Sequence, residues 1–173
     1  MRATIRTDHF ITDAELERIG GDNPGWQVER IDGGVVMCPT WWLSGLVNAR
    51  VTAALVAWGD RHGYAAIDSS TGVRMPNDDV LVPDGSLIAR SRMAGLTAKQ
   101  LRTWAPVPDL AVEVASSTDS RDDLRAKCRR YLMFGVTYVV LIDPEEGTFE
   151  SWGDPLPGLD IDWAALSAGS ESP

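Results

Sequence analysis

Two carboxylates occupy apolar, strand-like runs where Val or Leu would ordinarily sit: Asp84 in Val82-Pro83-Asp84 and Glu113 in Leu110-Ala111-Val112-Glu113-Val114. Lys127 follows on a segment of helical character. A carboxylate pair can hold a hard divalent cation, Mg²⁺ or Mn²⁺, while an adjacent ammonium group steadies negative charge on a phosphate. The residue types therefore suit metal-assisted phosphodiester hydrolysis.

Positions along the chain permit these groups to meet. Strand alternation puts Asp109, Ala111, Glu113 and Ala115 on one face, with Leu110, Val112 and Val114 on the other. The alanines leave room above Glu113 for an ion or substrate. From Glu113 to Ser116 the strand covers about 10 Å. A helix that starts near Asp119 and folds back carries Lys127 about 12 Å along its axis, level with Glu113. Asp123 and Tyr131 lie four residues to either side of Lys127 and extend the same stripe. The Val114 carbonyl offers a further oxygen, and Glu29 and Asp109 are accessory carboxylates. Each residue also has a plainer reading. Asp84 suits a turn, Glu113 a structural ion pair, Lys127 a solvated surface, Glu29 an exposed strand and Asp109 a strand start.

The elements that must position this trio are legible in outline. Thr12-Asp13-Ala14-Glu15 opens a helix as a capping box, ending near Gly20-Gly21. Trp26–Ile31 and Val35–Cys38 read as strands joined by an Asp32-Gly33 hairpin turn. A long helix over 41–62 carries the stripe Leu43, Val47, Val51, Ala54 and Trp58. Strands are predicted over 64–68, 72–75, 80–89, 109–115, 137–142 and 148–152, and helices over 97–104 and 119–134. The expected fold is α/β (α+β), a central mixed β-sheet flanked by helices, forming a single domain over 1–166 with a frayed tail at 167–173.

Composition narrows the classes. With 173 residues, 44% of them hydrophobic, the chain fits one domain with a substantial core. No apolar run is long enough to span a bilayer, and the first residues lack a signal-peptide core. Cys38 and Cys128 imply no disulfide framework, so a cytoplasmic location is expected, and with only His9 and His62 besides, no Zn site of the usual spacing is available. Neither histidine has the setting of a serine hydrolase. The net charge of −9 argues against a sequence-independent nucleic-acid coat. The basic residues are clustered, however. Arg121, Arg125, Lys127, Arg129 and Arg130 form either a phosphate-facing patch or a solvated helix face partnered by Asp122 and Asp123. Trp41 and Trp42 suit helix-start packing or, alternatively, stacking on bases.

These motifs together resemble the Uma2 (DUF820) family of the PD-(D/E)XK restriction-endonuclease-like superfamily. The resemblance runs from about Glu29 to Trp152. It rests on Ile31-Asp32-Gly33, Cys38-Pro39-Thr40, Val82-Pro83-Asp84 and Pro108-Asp109-Leu110-Ala111-Val112-Glu113-Val114-Ala115-Ser116. Asp123, Lys127, Tyr131, Gly135-Val136, Tyr138 and Asp143-Pro144 extend it. It implies a restriction-endonuclease-like fold and a Mg²⁺- or Mn²⁺-dependent endonuclease acting on DNA, with Asp84 and Glu113 as ligands and Lys127 as the catalytic lysine. The superfamily's usual lysine position holds Ala115, and in the Uma2 pattern that lysine moves to the next helix, matching Lys127. Relatives commonly carry Glu after the Asp-Gly turn and His at the start of the long helix, where this chain has Gly34 and Trp41-Trp42-Leu43-Ser44. Gly85 replaces a more typical apolar residue. Cleavage of both strands of a duplex would suit a homodimer. A second reading is a catalytically weakened member that binds DNA or protein. A third, a carboxylate-pair glycosidase, leaves Lys127 unexplained.

Overall fold

The computed structural model describes residues 3–5, 9–39 and 41–168. Helix α1 (Asp13–Asp22) starts at the expected capping box: Thr12 Oγ1 accepts from Glu15 N, and the Thr12 N–H donates to the Glu15 carboxylate at 2.8 Å. Strands β2 (Trp26–Ile31) and β3 (Gly34–Pro39) are joined through Asp32 and Gly33, both at positive φ (51° and 79°), as a tight hairpin turn requires. With β1 (Ala3–Ile5), β5 (Val73–Arg74) and β6 (Val80–Leu81) they form an antiparallel sheet ordered β1-β3-β2-β6-β5.

A second sheet holds β4 (Tyr64–Asp68), β7 (Gly85–Ala89), β8 (Leu110–Val114), β9 (Tyr138–Asp143) and β10 (Thr148–Gly153), ordered β10-β9-β8-β7-β4. It is mixed. Strands β8 and β9 pair in parallel through the crossover helix α4 (Arg121–Met133), whereas the other neighbours are antiparallel. Helix α2 (Trp42–His62) covers one face. Its Val47, Val51, Leu55 and Trp58 pack with Leu110, Val112, Val114, Val140 and Ile142. Helix α4 covers the other face, where Leu124, Cys128 and Tyr131 pack on Ala111 and Ala115. The class is α+β, as expected, with a second sheet beside the mixed one.

Three predicted elements differ. The run 80–89 is not one strand: β6 belongs to the first sheet and β7 to the second. Pro83 lacks an N–H, and the Val82 backbone bonds to side chains instead of a ladder, so the chain changes sheets there. Within 97–104 only a 3-10 turn (Gln100–Arg102) forms; an earlier single-turn helix, α3, covers Arg90–Met93. The buried stripe of α2 uses Leu55 where Ala54 was expected, and also takes in Ser44 and Asn48. A last helix, α5 (Trp163–Ser167), packs Trp163 into the α2 core, and Ser167 is fully buried. The remainder of the expected tail, residues 169–173, lies outside the described residues.

Candidate functional site

The switch from β6 to β7 puts Asp84 at the junction of the two sheets. Its backbone N–H donates to Val112 O at 2.9 Å, continuing the β8 ladder. Its carboxylate reaches past that ladder and accepts from Val114 N (2.7 Å), Asn48 Nδ2 (2.8 Å) and Gln27 Nε2 (3.2 Å). Asp84 thus ties α2, β2 and β8 together. Glu113, on the α4-facing side of β8, accepts from Tyr131 Oη at 2.8 Å and from Lys127 Nζ at 2.9 Å. Lys127 also donates to Val82 O at 3.1 Å and pairs with Glu29 at 2.7 Å. Glu29 in turn accepts from Val82 N at 2.7 Å. The Glu29–Lys127 pair therefore satisfies both backbone groups of the residue that leaves the first sheet. A small cavity of about 40 Å³ lies among Glu29, Asp84, Asn48, Glu113, Ser44 and Lys127.

All four charged groups are buried: Glu29 is 4% exposed, Asp84 7%, Glu113 3% and Lys127 8%. Burial penalises the charged forms of Asp84, Glu113 and Lys127. It raises Glu113 to about 8 despite the attraction of Lys127, and the negative charges of Asp84 and Glu29 push the same way. Burial also raises Asp84 above the ordinary carboxylate range, against Lys127 and its three hydrogen bonds. For Lys127, burial alone would favour the neutral amine. Glu113, Glu29 and Asp84 outweigh it and hold the ammonium above its ordinary range. Ionised, three carboxylates facing one ammonium leave two negative charges unbalanced.

The family model described as "Uma2: Putative restriction endonuclease" matches residues 13–167. The chain belongs to the Uma2 family. No curated protein matches. A solved structure described as a "putative nuclease belonging to DUF820", from Anabaena variabilis, is 18% identical. It superposes with a TM-score of 0.65 over 82% of this chain and 89% of that one, and so shares the fold.

In this Uma2 chain the expected trio is brought together, with Lys127 and Glu113 in direct contact. Glu29 and Tyr131 join them, so the exposed-strand reading of Glu29 does not hold. Two other expected residues stay out. Asp109 accepts from Ala89 N and Arg92 Nη1, both at 2.7 Å, locking the start of β8; Asp123 is exposed near the cap of α4. Val114 lines the cavity. Ala111 and Ala115 do not open space for a ligand: they let α4 approach, and its Lys127 and Tyr131 fill the room beside Glu113. Trp42, at 88% exposure, does not pack at the start of α2. Gly85 has a packing reason, since a Cβ there would sit 2.8 Å from Leu55 Cδ1. Four members of the basic cluster are paired internally. Arg121 pairs with Asp143 (3.1 Å), Arg125 with Glu150 (2.8 Å), Lys127 with Glu29 and Glu113, and Arg130 with Asp32 (2.7 Å) and Asp79.

Gln27 and Asn48 were missed. Both are neutral amides whose roles come from distant partners. The available signal was Asn48 itself, beside Val47 on the buried stripe of α2.

The residues fit a hard divalent cation. Among the described residues no three or more His, Cys, Asp and Glu side chains are grouped to cage a metal, so an ion here would depend on Asp84, Glu113 and neutral oxygens. Mg²⁺ is commonly held in that way, by one or two carboxylates and waters. Asn48 adds a neutral oxygen to this set. Its Nδ2 faces the Asp84 carboxylate, which fixes the amide orientation, and its buried Oδ1 has no hydrogen-bond partner among the described residues. A buried unpaired carbonyl oxygen is costly, and a cation or its water would satisfy it. When these carboxylates are ionised, their excess negative charge has the sign that a divalent ion neutralises.

Proposed function

We propose that this chain is a Mg²⁺- or Mn²⁺-dependent endonuclease that hydrolyses DNA phosphodiester bonds. Asp84 and Glu113 would hold the ion, with Asn48 Oδ1 and the Val114 carbonyl as neighbouring oxygens. When bound, the ion supplies positive charge to the phosphate and lowers the pKa of water. Lys127 acts as an ammonium group: it orients the attacking water and steadies charge developing on the phosphate. The acidic surroundings that keep it protonated argue against its acting as a general base. Tyr131 and Glu29 hold Glu113 and Lys127 in place. The observation that carries the reading is the direct 2.9 Å contact of Lys127 with Glu113 inside a cavity that also contains Asp84. Family membership supports nuclease chemistry, and DNA is the substrate that the family description favours.

The test is cleavage of plasmid and of single-stranded DNA with Mg²⁺ or Mn²⁺ by wild type and by Asp84→Asn, Glu113→Gln and Lys127→Met, each shown to be folded by circular dichroism. Each variant should lose roughly 100-fold or more in rate. Undiminished cleavage by all three would sink the assignment. Metal binding without any cleavage by wild type would favour the binding-module reading.

A further inference from the structure

Beside the small cavity lies a larger recess of about 520 Å³, and Gln27 lines both. Trp26, Trp104, Glu17 and Ser69 complete much of its wall. Trp26 stands at the start of β2 and is 41% exposed. Trp104 lies so close over Gly72 that a Cβ there would meet its Cε3 at 2.6 Å, so the absence of a side chain at Gly72 admits the ring. Gln27 links the two spaces, donating to Asp84 Oδ1 at 3.2 Å and to Ser69 O at 3.4 Å. None of these aromatic groups is needed by the hydrolytic chemistry.

The charge distribution restricts what the recess can take. Four of the five cations clustered on α4 are paired with carboxylates of this chain, and the whole chain carries −9. Little positive charge remains there for gripping the two phosphate backbones of a duplex. Within the recess, Glu17 would repel a phosphate but accept a hydrogen bond from a base amine. Indole rings bind base faces without needing charge.

We propose that the recess receives an unpaired base of a DNA strand whose neighbouring phosphate enters the cavity at Glu113, so that the substrate is single-stranded or locally unpaired DNA. This rests on the nuclease reading and names the substrate class within it. The experiment measures anisotropy of a labelled oligonucleotide, single-stranded or as its duplex, with the full chain in EDTA so that no metal contributes. The single strand should bind at least about tenfold tighter than the duplex, with a shallow salt dependence. Trp26→Ala should weaken single-strand binding roughly tenfold, and Trp26→Phe should largely retain it. Ser70→Trp, which fills the recess from the loop after β4, should also lose binding and serves if Trp26→Ala does not fold. Equal or tighter duplex binding, or unchanged affinity in folded Trp26→Ala or Ser70→Trp, overturns the proposal. The two readings fail separately. Unchanged binding by Trp26→Ala with cleavage abolished in Glu113→Gln removes the base recess alone. Trp26-dependent binding with cleavage intact in Glu113→Gln removes the assigned hydrolytic site.

Discussion

Asn48 shows what one neutral side chain can decide. Its Nδ2 spends a hydrogen bond on Asp84, and its Oδ1 is left buried without a partner. An amide in that state is costly unless a donor or a cation supplies the missing partner, and carboxylates beside it, when ionised, also favour a cation. Asn48→Ala should weaken Mn²⁺ binding by roughly tenfold, measured by isothermal titration calorimetry, because it removes both the oxygen and the support of Asp84. Asn48→Asp should retain binding or strengthen it. An alanine variant that binds Mn²⁺ as wild type does would show that Asn48 serves only packing. The charged members of the site were legible in the sequence because carboxylates in mid-strand are conspicuous, and strand and helix rise sufficed to bring Lys127 to Glu113. Gln27 and Asn48 were not, because an amide in an amphipathic pattern carries no charge signal and its partners are far away in sequence.

At the scale of elements, local chemistry was the most readable part. The Thr12–Glu15 box and the Asp32-Gly33 turn need only neighbours in sequence, and both form. Glu15 makes the first testable by pH. Hydrogen bonds from the Thr12 backbone and side chain lower its carboxyl from 4.5 to about 2. A depressed carboxyl stabilises the folded state above about 4.5, and that contribution is lost as pH falls toward 2. In thermal melts across this window, Glu15→Gln should show less acid destabilisation than wild type, whereas Thr12→Ala should cost about 1 kcal/mol at neutral pH. Glycines offer a matched contrast. Gly85 lies under Val51 and Leu55, so Gly85→Ala should cost about 1–3 kcal/mol in urea unfolding. Gly21, in α1 with open space around its Cβ position, should gain about 0.5–1 kcal/mol on change to Ala. The split of 80–89 between two sheets was beyond sequence reading for the opposite reason. The run is apolar throughout, and what divides it, apart from Pro83, is the bonding of the Val82 backbone to Glu29 and Lys127, which lie 53 and 45 residues away.

Over the whole molecule, the two sheets meet where charge is least affordable. One sheet supplies Glu29 and Gln27 and the other supplies Glu113, Asp84 stands on the link between them, and α2 and α4 close the junction with Asn48, Lys127 and Tyr131. Its assembly thus depends on the same groups that would hold the ion, and folding and metal binding should be linked. A ligand that binds only the folded chain stabilises it by about 2.7 kcal/mol at a hundredfold excess over its Kd. For a chain of this length each kcal/mol moves Tm by about 2–4 °C. Saturating Mn²⁺ should therefore raise Tm by roughly 5–10 °C in wild type. The rise should disappear in Asp84→Asn, which keeps an acceptor oxygen and most of the shape of the side chain but lacks its charge. It should persist in Asp109→Asn and Asp123→Asn, whose carboxylates lie away from the cavity. Differential scanning fluorimetry of the four proteins with and without Mn²⁺ decides the point. An equal shift in Asp84→Asn would mean that the ion binds elsewhere, and no shift in wild type would mean that hydrogen bonds and protonation alone stabilise the junction.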